Sequence, residues 1–344
     1  CKKLITINRH LITFKNCVTC EASQRKRMIA IHCWTFGVIS LLRCSTMTTP
    51  SDDQIEIWEK EYAPSKWTKR FDTPSEVLDH HVKFVTEVSS DNRKQLCCTL
   101  NVRYGRGENA TFDIYGDDLP GDAPLFVYIH GGYWQMLDKT NSAYCAKPLV
   151  ERGYRVIILG YDLCPKINLE QLVAQIKSAG GYILNYAAEK HVKHISFAGH
   201  SAGAHLIATM LDCPFVAAMG KEIDRIKQIY LISGVYKLNE LFYTKEVNKN
   251  NLLGLNALTI QSLSPLLQNY QHLPGFNCRI HFYVGENESP VFKQMSSDMC
   301  KHFEKFALHS TFQILPNLDH FNMVEKLSEK DSAIETGKML IILQ

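Results

Sequence analysis

The sequence has almost no excess charge of either sign: 38 Lys and Arg stand against 35 Asp and Glu, a net charge of +3. That balance gives no electrostatic footprint for nucleic acid and no bias toward an acidic partner. It also lacks an apolar run of bilayer length. The stretch 28–42 is too short to span comfortably and is interrupted by His32 and Cys33, so no membrane partner is expected. No internal repeat or low-complexity block is present. The twelve cysteines lack the spacing of a disulfide framework. Cys1, Cys17, Cys20, Cys33 and Cys44 lie near the start and the rest are scattered, as expected of small buried hydrophobes in a reducing compartment. Cys17-Val18-Thr19-Cys20 has no second pair and no histidine at zinc spacing. No two of the 14 histidines make a defensible ligand pair, so neither metal nor cofactor is expected.

The beginning of the chain differs from the rest. Arg25-Lys26-Arg27 followed by apolar residues resembles the basic and apolar regions of a signal peptide, but no small-residue cleavage site follows. Met47, followed by a polar and acidic stretch, offers a simpler start. The expectation is an extension over 1–46 outside the fold and one domain over 47–344. The location is then cytosolic, and secretory or membrane-anchored only if residues 1–46 are genuine.

What is present is a rhythm. Strands are expected at Leu125–Ile129, Arg155–Leu159, His194–Ala198, Ile226–Ile232, Arg279–Val284 and Thr311–Leu315. Helical patterns fall at about 141–152, 168–189, 202–212, 290–306 and 321–341. Such alternation predicts an α/β fold, a mainly parallel sheet flanked by helices. Residues 95–104 and 111–115 suit an antiparallel pair at the sheet edge. The stretch 236–273 breaks the rhythm and is expected to form short helices as a small cap-like insertion.

Gly199-His200-Ser201-Ala202-Gly203 follows one expected strand and opens a helical run. A G-x-S-x-G sequence in that context is a nucleophile elbow, with Ser201 on the sharp turn and the helix amino terminus behind it. The plainer reading is a glycine-rich turn. His130-Gly131-Gly132-Tyr133-Trp134 follows another strand, where backbone N–H groups of Gly131 and Gly132, with that of Ala202, would form an oxyanion hole. A serine nucleophile needs a base and an orienting carboxylate, in the chain order Ser, acid, His. His320 follows the last strand and is the expected base. The carboxylate is Glu288 or Glu286, with Glu288 favoured because it sits deeper in the loop before Ser289-Pro290. Asp319, His130, His200, His205, Tyr161 and Asp162 are expected to brace or pack. The charged run Glu325–Lys330 is expected to be a solvated helix face.

These motifs, together with Tyr161-Asp162-Leu163-Cys164-Pro165, Ala204-His205-Leu206 and Asp319-His320-Phe321, resemble the kynurenine formamidase (arylformamidase) family, from about Trp58 onward. The pair Tyr133-Trp134 is its sharpest discriminator. The resemblance implies an α/β-hydrolase fold and hydrolysis of the small molecule N-formyl-L-kynurenine to L-kynurenine and formate in tryptophan degradation. Ser201 is then nucleophile, His320 base and Glu288 acid, where the family usually carries Asp. Tyr133 and Trp134 would stack on the aryl ring. A homodimer is compatible with it. The competing functions are a carboxylesterase for small aryl or acyl esters and a non-catalytic binding protein on the same fold.

Overall fold

Parallel strands need crossovers, and apolar runs separated by helical patterns supply them. The computed structural model describes residues 50–273 and 275–329. The expected boundary at Met47 therefore lies outside the described residues. The strands are β1 (Cys98–Arg103), β2 (Thr111–Tyr115), β3 (Leu125–Ile129), β4 (Arg155–Leu159), β5 (Ile195–His200), β6 (Ile226–Ile232), β7 (Arg279–Gly285) and β8 (His309–Leu315). They form one sheet in the order β1-β2-β4-β3-β5-β6-β7-β8. β1 and β2 are antiparallel, as are β2 and β4; every other neighbouring pair is parallel. This is the α/β-hydrolase arrangement expected from the sequence, with the antiparallel pair at one edge.

The helices are α1 (Asp52–Glu61), α2 (Pro74–Gln95), α3 (Ala146–Val150), α4 (Leu169–Glu189), α5 (Ala202–Met210), α6 (Cys213–Met219), α7 (Lys245–Asn248), α8 (Ala257–Leu263), α9 (Pro290–Glu304) and α10 (Asn322–Glu325). The sheet divides the core in two. Leu125, Val127 and Ile129 of β3 join Ile176, Ile183 and Leu206 on one face, while Phe126 and Tyr128 join Val85, Leu149 and Val324 on the other. Side chains two apart on a strand share a face, and a sheet covered on both faces reads as unbroken apolar runs.

Two expectations are corrected. The pattern over 321–341 gives a helix only at Asn322–Glu325 and a 3-10 turn at Lys326–Ser328, and Glu329 is extended; residues 330–341 lie outside the described residues. The pattern over 141–152 resolves into short turns before α3, which contains Pro148. Helix α2 lies outside the helical patterns read from the sequence. It starts at a capping box in which Thr73 and Glu76 satisfy each other's backbone N–H.

The position of the site follows from the strand order. The chain moves from β3 to β4 on one side and then to β5 on the other. The carboxyl ends of β3 and β5 thus flank the crevice where an open α/β sheet holds its ligand. The glycine loop leaves β3 there, and Ser201 leaves β5.

Candidate active site

β5 ends at His200, and α5 begins one residue after Ser201. Ser201 has φ +52°, a conformation that L residues rarely hold, and its N–H donates to the Ile232 carbonyl at 2.8 Å. The turn is tight enough to require glycine at 203. A Cβ there would lie 2.0 Å from the Ile129 carbonyl oxygen. The first backbone N–H groups of α5, Ala202's included, have no earlier helical turn to accept them. Ser201 is 2 % exposed.

The glycine loop approaches from β3. Gly131 lies so close to the elbow that a Cβ on it would sit 3.1 Å from the Ser201 Cβ. Gly132 has φ +99°, and its carbonyl accepts from the N–H groups of Gln135 and Met136. A side chain at 132 would collide with the Met136 carbonyl. His130 braces this loop as expected: its Nδ1 lies 2.9 Å from the Gly131 carbonyl, and the Tyr161 hydroxyl donates to the His130 carbonyl. Burial pushes the His130 imidazole down to about 4 and keeps it neutral. Asp162 holds the Asn109 N–H and the Gln175 amide.

β7 and β8 run in register to Gly285 and Leu315, so their following loops lie side by side. The Asn287 N–H donates to the Leu318 carbonyl at 2.8 Å. Glu288 and His320 meet across these loops: Nδ1 of His320 donates to Glu288 Oε2 at 2.7 Å. A carboxylate only accepts, so the imidazole carries its proton on Nδ1 and keeps Nε2 as the basic atom. Both residues are buried. Glu286, the other candidate carboxylate, is exposed and accepts the Asn317 N–H instead.

Trp134 and Glu325 depart from what the sequence suggested, whereas His200 and Asp319 pack and brace as expected. Trp134 has no exposed surface. It lies in the core with its ring edge-on to His205, so it offers no face for stacking. Tyr133 is half-buried, and its hydroxyl donates to the Tyr62 carbonyl at 2.7 Å. His200 packs on the His320 ring at 4.6 Å and donates from Nε2 to the His320 carbonyl. Burial and the neighbouring His320 hold it neutral, well below the usual histidine range. Glu325 is buried, in contrast to the solvated face expected for 325–330. It takes Arg70 at 3.0 Å and His81 Nδ1 at 2.9 Å. Arg70 also grips Asp319, beside His320, through Nε at 2.7 Å, and Thr68 donates to the same carboxylate. Asp319 thus braces the loop that carries His320. Burial opposes its ionisation, but these donors outweigh burial and hold its carboxyl below the ordinary value of 3.8.

The insertion after β6 forms short helices, as expected. The Gln135 amide donates to the Val247 carbonyl, and His205 Nε2 donates to the Leu263 carbonyl, tying the segment to the glycine loop and to α5. Among the described residues no three His, Cys, Asp or Glu converge as metal ligands, and no single helix is long and apolar enough to cross a membrane.

Known proteins agree with this architecture. The sequence model of a family described as BD-FAE matches residues 112–249. The kynurenine formamidase of Drosophila melanogaster is 35% identical over 282 residues, covering 80% of this chain and 94% of the fly protein. That of Salmo salar is 35% identical over 276 residues, covering 79% of this chain and 91% of the salmon protein. Among solved structures, a putative thioesterase from a Silicibacter species is 27% identical. It superimposes with a TM-score of 0.62 and covers 74% of this chain and 90% of its own. The chain belongs to the kynurenine formamidase family, hydrolases built on the α/β-hydrolase fold.

Proposed function

We propose that this hydrolase converts N-formyl-L-kynurenine to L-kynurenine and formate through Ser201, His320 and Glu288. The observation that carries the reading is the hydrogen bond from His320 Nδ1 to Glu288 Oε2, which leaves Nε2 as the basic atom of a ring packed on His200, the residue before Ser201.

Ser201 Oγ attacks the formyl carbon while His320 Nε2 takes its proton. The backbone N–H groups of Gly131, Gly132 and Ala202 receive the oxyanion; each such donor is worth about 3 kcal/mol in the transition state. The carbon–nitrogen bond breaks as His320 returns the proton to the arylamine. Water, deprotonated by the same nitrogen, then releases formate from Ser201. The close approach of Gly131 to Ser201 favours a small acyl group. The Tyr133 ring is the aromatic face offered to the aryl group, and Trp134 is withdrawn from that role.

Hydrolysis of N-formyl-L-kynurenine by the wild type and by Ser201→Ala tests the reading. Turnover that falls by orders of magnitude in the variant is expected. Nitrophenyl acetate turnover without formamide turnover would replace it with an esterase.

A further inference from the structure

Ser233 follows β6 directly and has no exposed surface, so it cannot touch a substrate. It nonetheless lies between the Ser201 elbow and the loop that carries Glu288. The preceding carbonyl, that of Ile232, accepts the Ser201 N–H. Its own N–H donates to the Tyr283 carbonyl of β7 at 2.8 Å. Its Oγ donates to Glu288 Oε1 at 2.5 Å and lies 3.4 Å from the Met323 sulfur, on the helix that follows His320. A hydroxyl has one proton. A carboxylate is a far stronger acceptor than a thioether, so that proton goes to Glu288.

The backbone at Ser233 is strained, with φ +49°. A glycine would hold this conformation at no steric cost. A hydroxymethyl group held there must therefore be supported by the contacts around it. Those contacts aim Oγ at one carboxylate oxygen. The Gly285 N–H donates to that same oxygen at 2.8 Å. Glu288 Oε1 thus carries two donors, and Oε2 is left for the imidazole.

A glutamate needs this more than an aspartate does. Its longer stem has one more rotatable bond, so ordering the side chain costs more conformational entropy. With the Gly285 N–H as its only remaining donor on Oε1, the carboxylate has other rotamers in which it leaves Nδ1. We infer that Ser233 is a positioning residue for acyl transfer, clamping Glu288 so that its free oxygen meets His320. The inference rests on the reading of Ser201, His320 and Glu288 as the reacting set.

The test measures the rate at which a fluorophosphonate probe labels Ser201, together with kcat and KM for nitrophenyl acetate. Neither depends on the identity of the natural substrate. Ser233→Ala and Ser233→Gly should both label more slowly and lose kcat, by about 10- to 100-fold, the range typical of groups that orient a reacting residue. KM should change little. In a Glu288→Gln background, adding Ser233→Ala should cost almost nothing further, because the hydroxyl acts only through that carboxylate.

Ser233→Gly removes the strain, so it reports on the hydroxyl even if the alanine variant folds poorly. The inference is overturned if Ser233→Ala labels at the wild-type rate, if glycine recovers what alanine loses, or if the losses multiply in the double variant. A wild type that takes no label sinks the nucleophile assignment, and this inference with it. A labelled wild type with unimpaired Ser233 variants sinks this inference alone.

Discussion

At Glu288 the one methylene that separates glutamate from aspartate decides where the carboxylate can rest. It folds back so that Oε2 meets His320 while Oε1 takes the Gly285 N–H and the Ser233 hydroxyl. Glu286, two residues earlier, is exposed and bonded to the Asn317 N–H. The two carboxylates therefore separate by experiment. Glu288→Gln should lower kcat by about 10²–10⁴-fold, because the amide can present its NH2 group to Nδ1 and favour the wrong tautomer. Glu286→Gln should leave kcat within about 2-fold, as expected of a solvated group outside the site. Steady-state kinetics on either the formamide or an aryl ester reads both, and the reverse pattern would move the acid to Glu286. The depth of each residue in the loop was legible from its distance to the strand end. The Ser233 contact was not: a lone serine after a strand carries no motif, and its partner lies 55 positions away.

The elements differ in how visible they are, and burial explains the difference. Strands β3 to β5 are buried along their whole length and appear as largely apolar runs; the elbow and glycine loop stand out because glycine is needed at their tightest turns. Helix α2 is hidden because its inward face is Val77, His81, Val85, Ser89 and Asn92, a helical spacing with too few apolar residues to register. The run Thr73-Pro74-Ser75-Glu76 was the one local signal that could have revealed it. Its position matters, because His81 on α2 and Arg70 just before it hold Glu325, the last residue of α10, and Arg70 also holds Asp319 ahead of that helix. That clamp joins residues about 250 positions apart, which no local pattern can show. Arg70→Gln would leave two buried carboxylates without their cation. It should cost about 1–3 kcal/mol in chemical denaturation and lower kcat by loosening the loop that holds His320. Arg70→Lys keeps the charge but not the fork, and should recover part of both losses. An unchanged midpoint in Arg70→Gln would show that the clamp contributes nothing.

On the scale of the whole molecule, the neutral buried histidines and the ionised buried carboxylates act in the same direction. Burial lowers His130 and His205 from 6.5 to about 4, and burial with the neighbouring His320 lowers His200 well below 6.5. In the unfolded chain all three return to ordinary values and take up protons once the pH falls below about 6.5. Each such histidine stabilises the fold fully above that pH and loses its contribution progressively down to its folded value. Asp319 and Glu325 follow at lower pH. Burial opposes their charge, but Arg70 with Thr68, and His81 with Arg70, hold their carboxyls below 3.8 and 4.5 respectively. A carboxyl depressed in this way contributes stability above its unfolded value and loses it as the pH falls toward the folded one. The fold should therefore weaken in two stages. The first begins near pH 6.5, where each histidine protonated only on unfolding removes about 1.4 kcal/mol per pH unit. The second begins below about pH 4.5, as the carboxylates are neutralised. Urea denaturation of the protein from pH 7.5 to 5.0 isolates the first stage, since the carboxylates are still ionised in both states over most of that range. The midpoint should fall steadily below pH 6.5. A midpoint that stays level to pH 5 would mean that these three imidazoles reach water or a proton acceptor in the folded chain, and their roles as neutral braces of the glycine loop, the His320 loop and the insertion would have to be withdrawn.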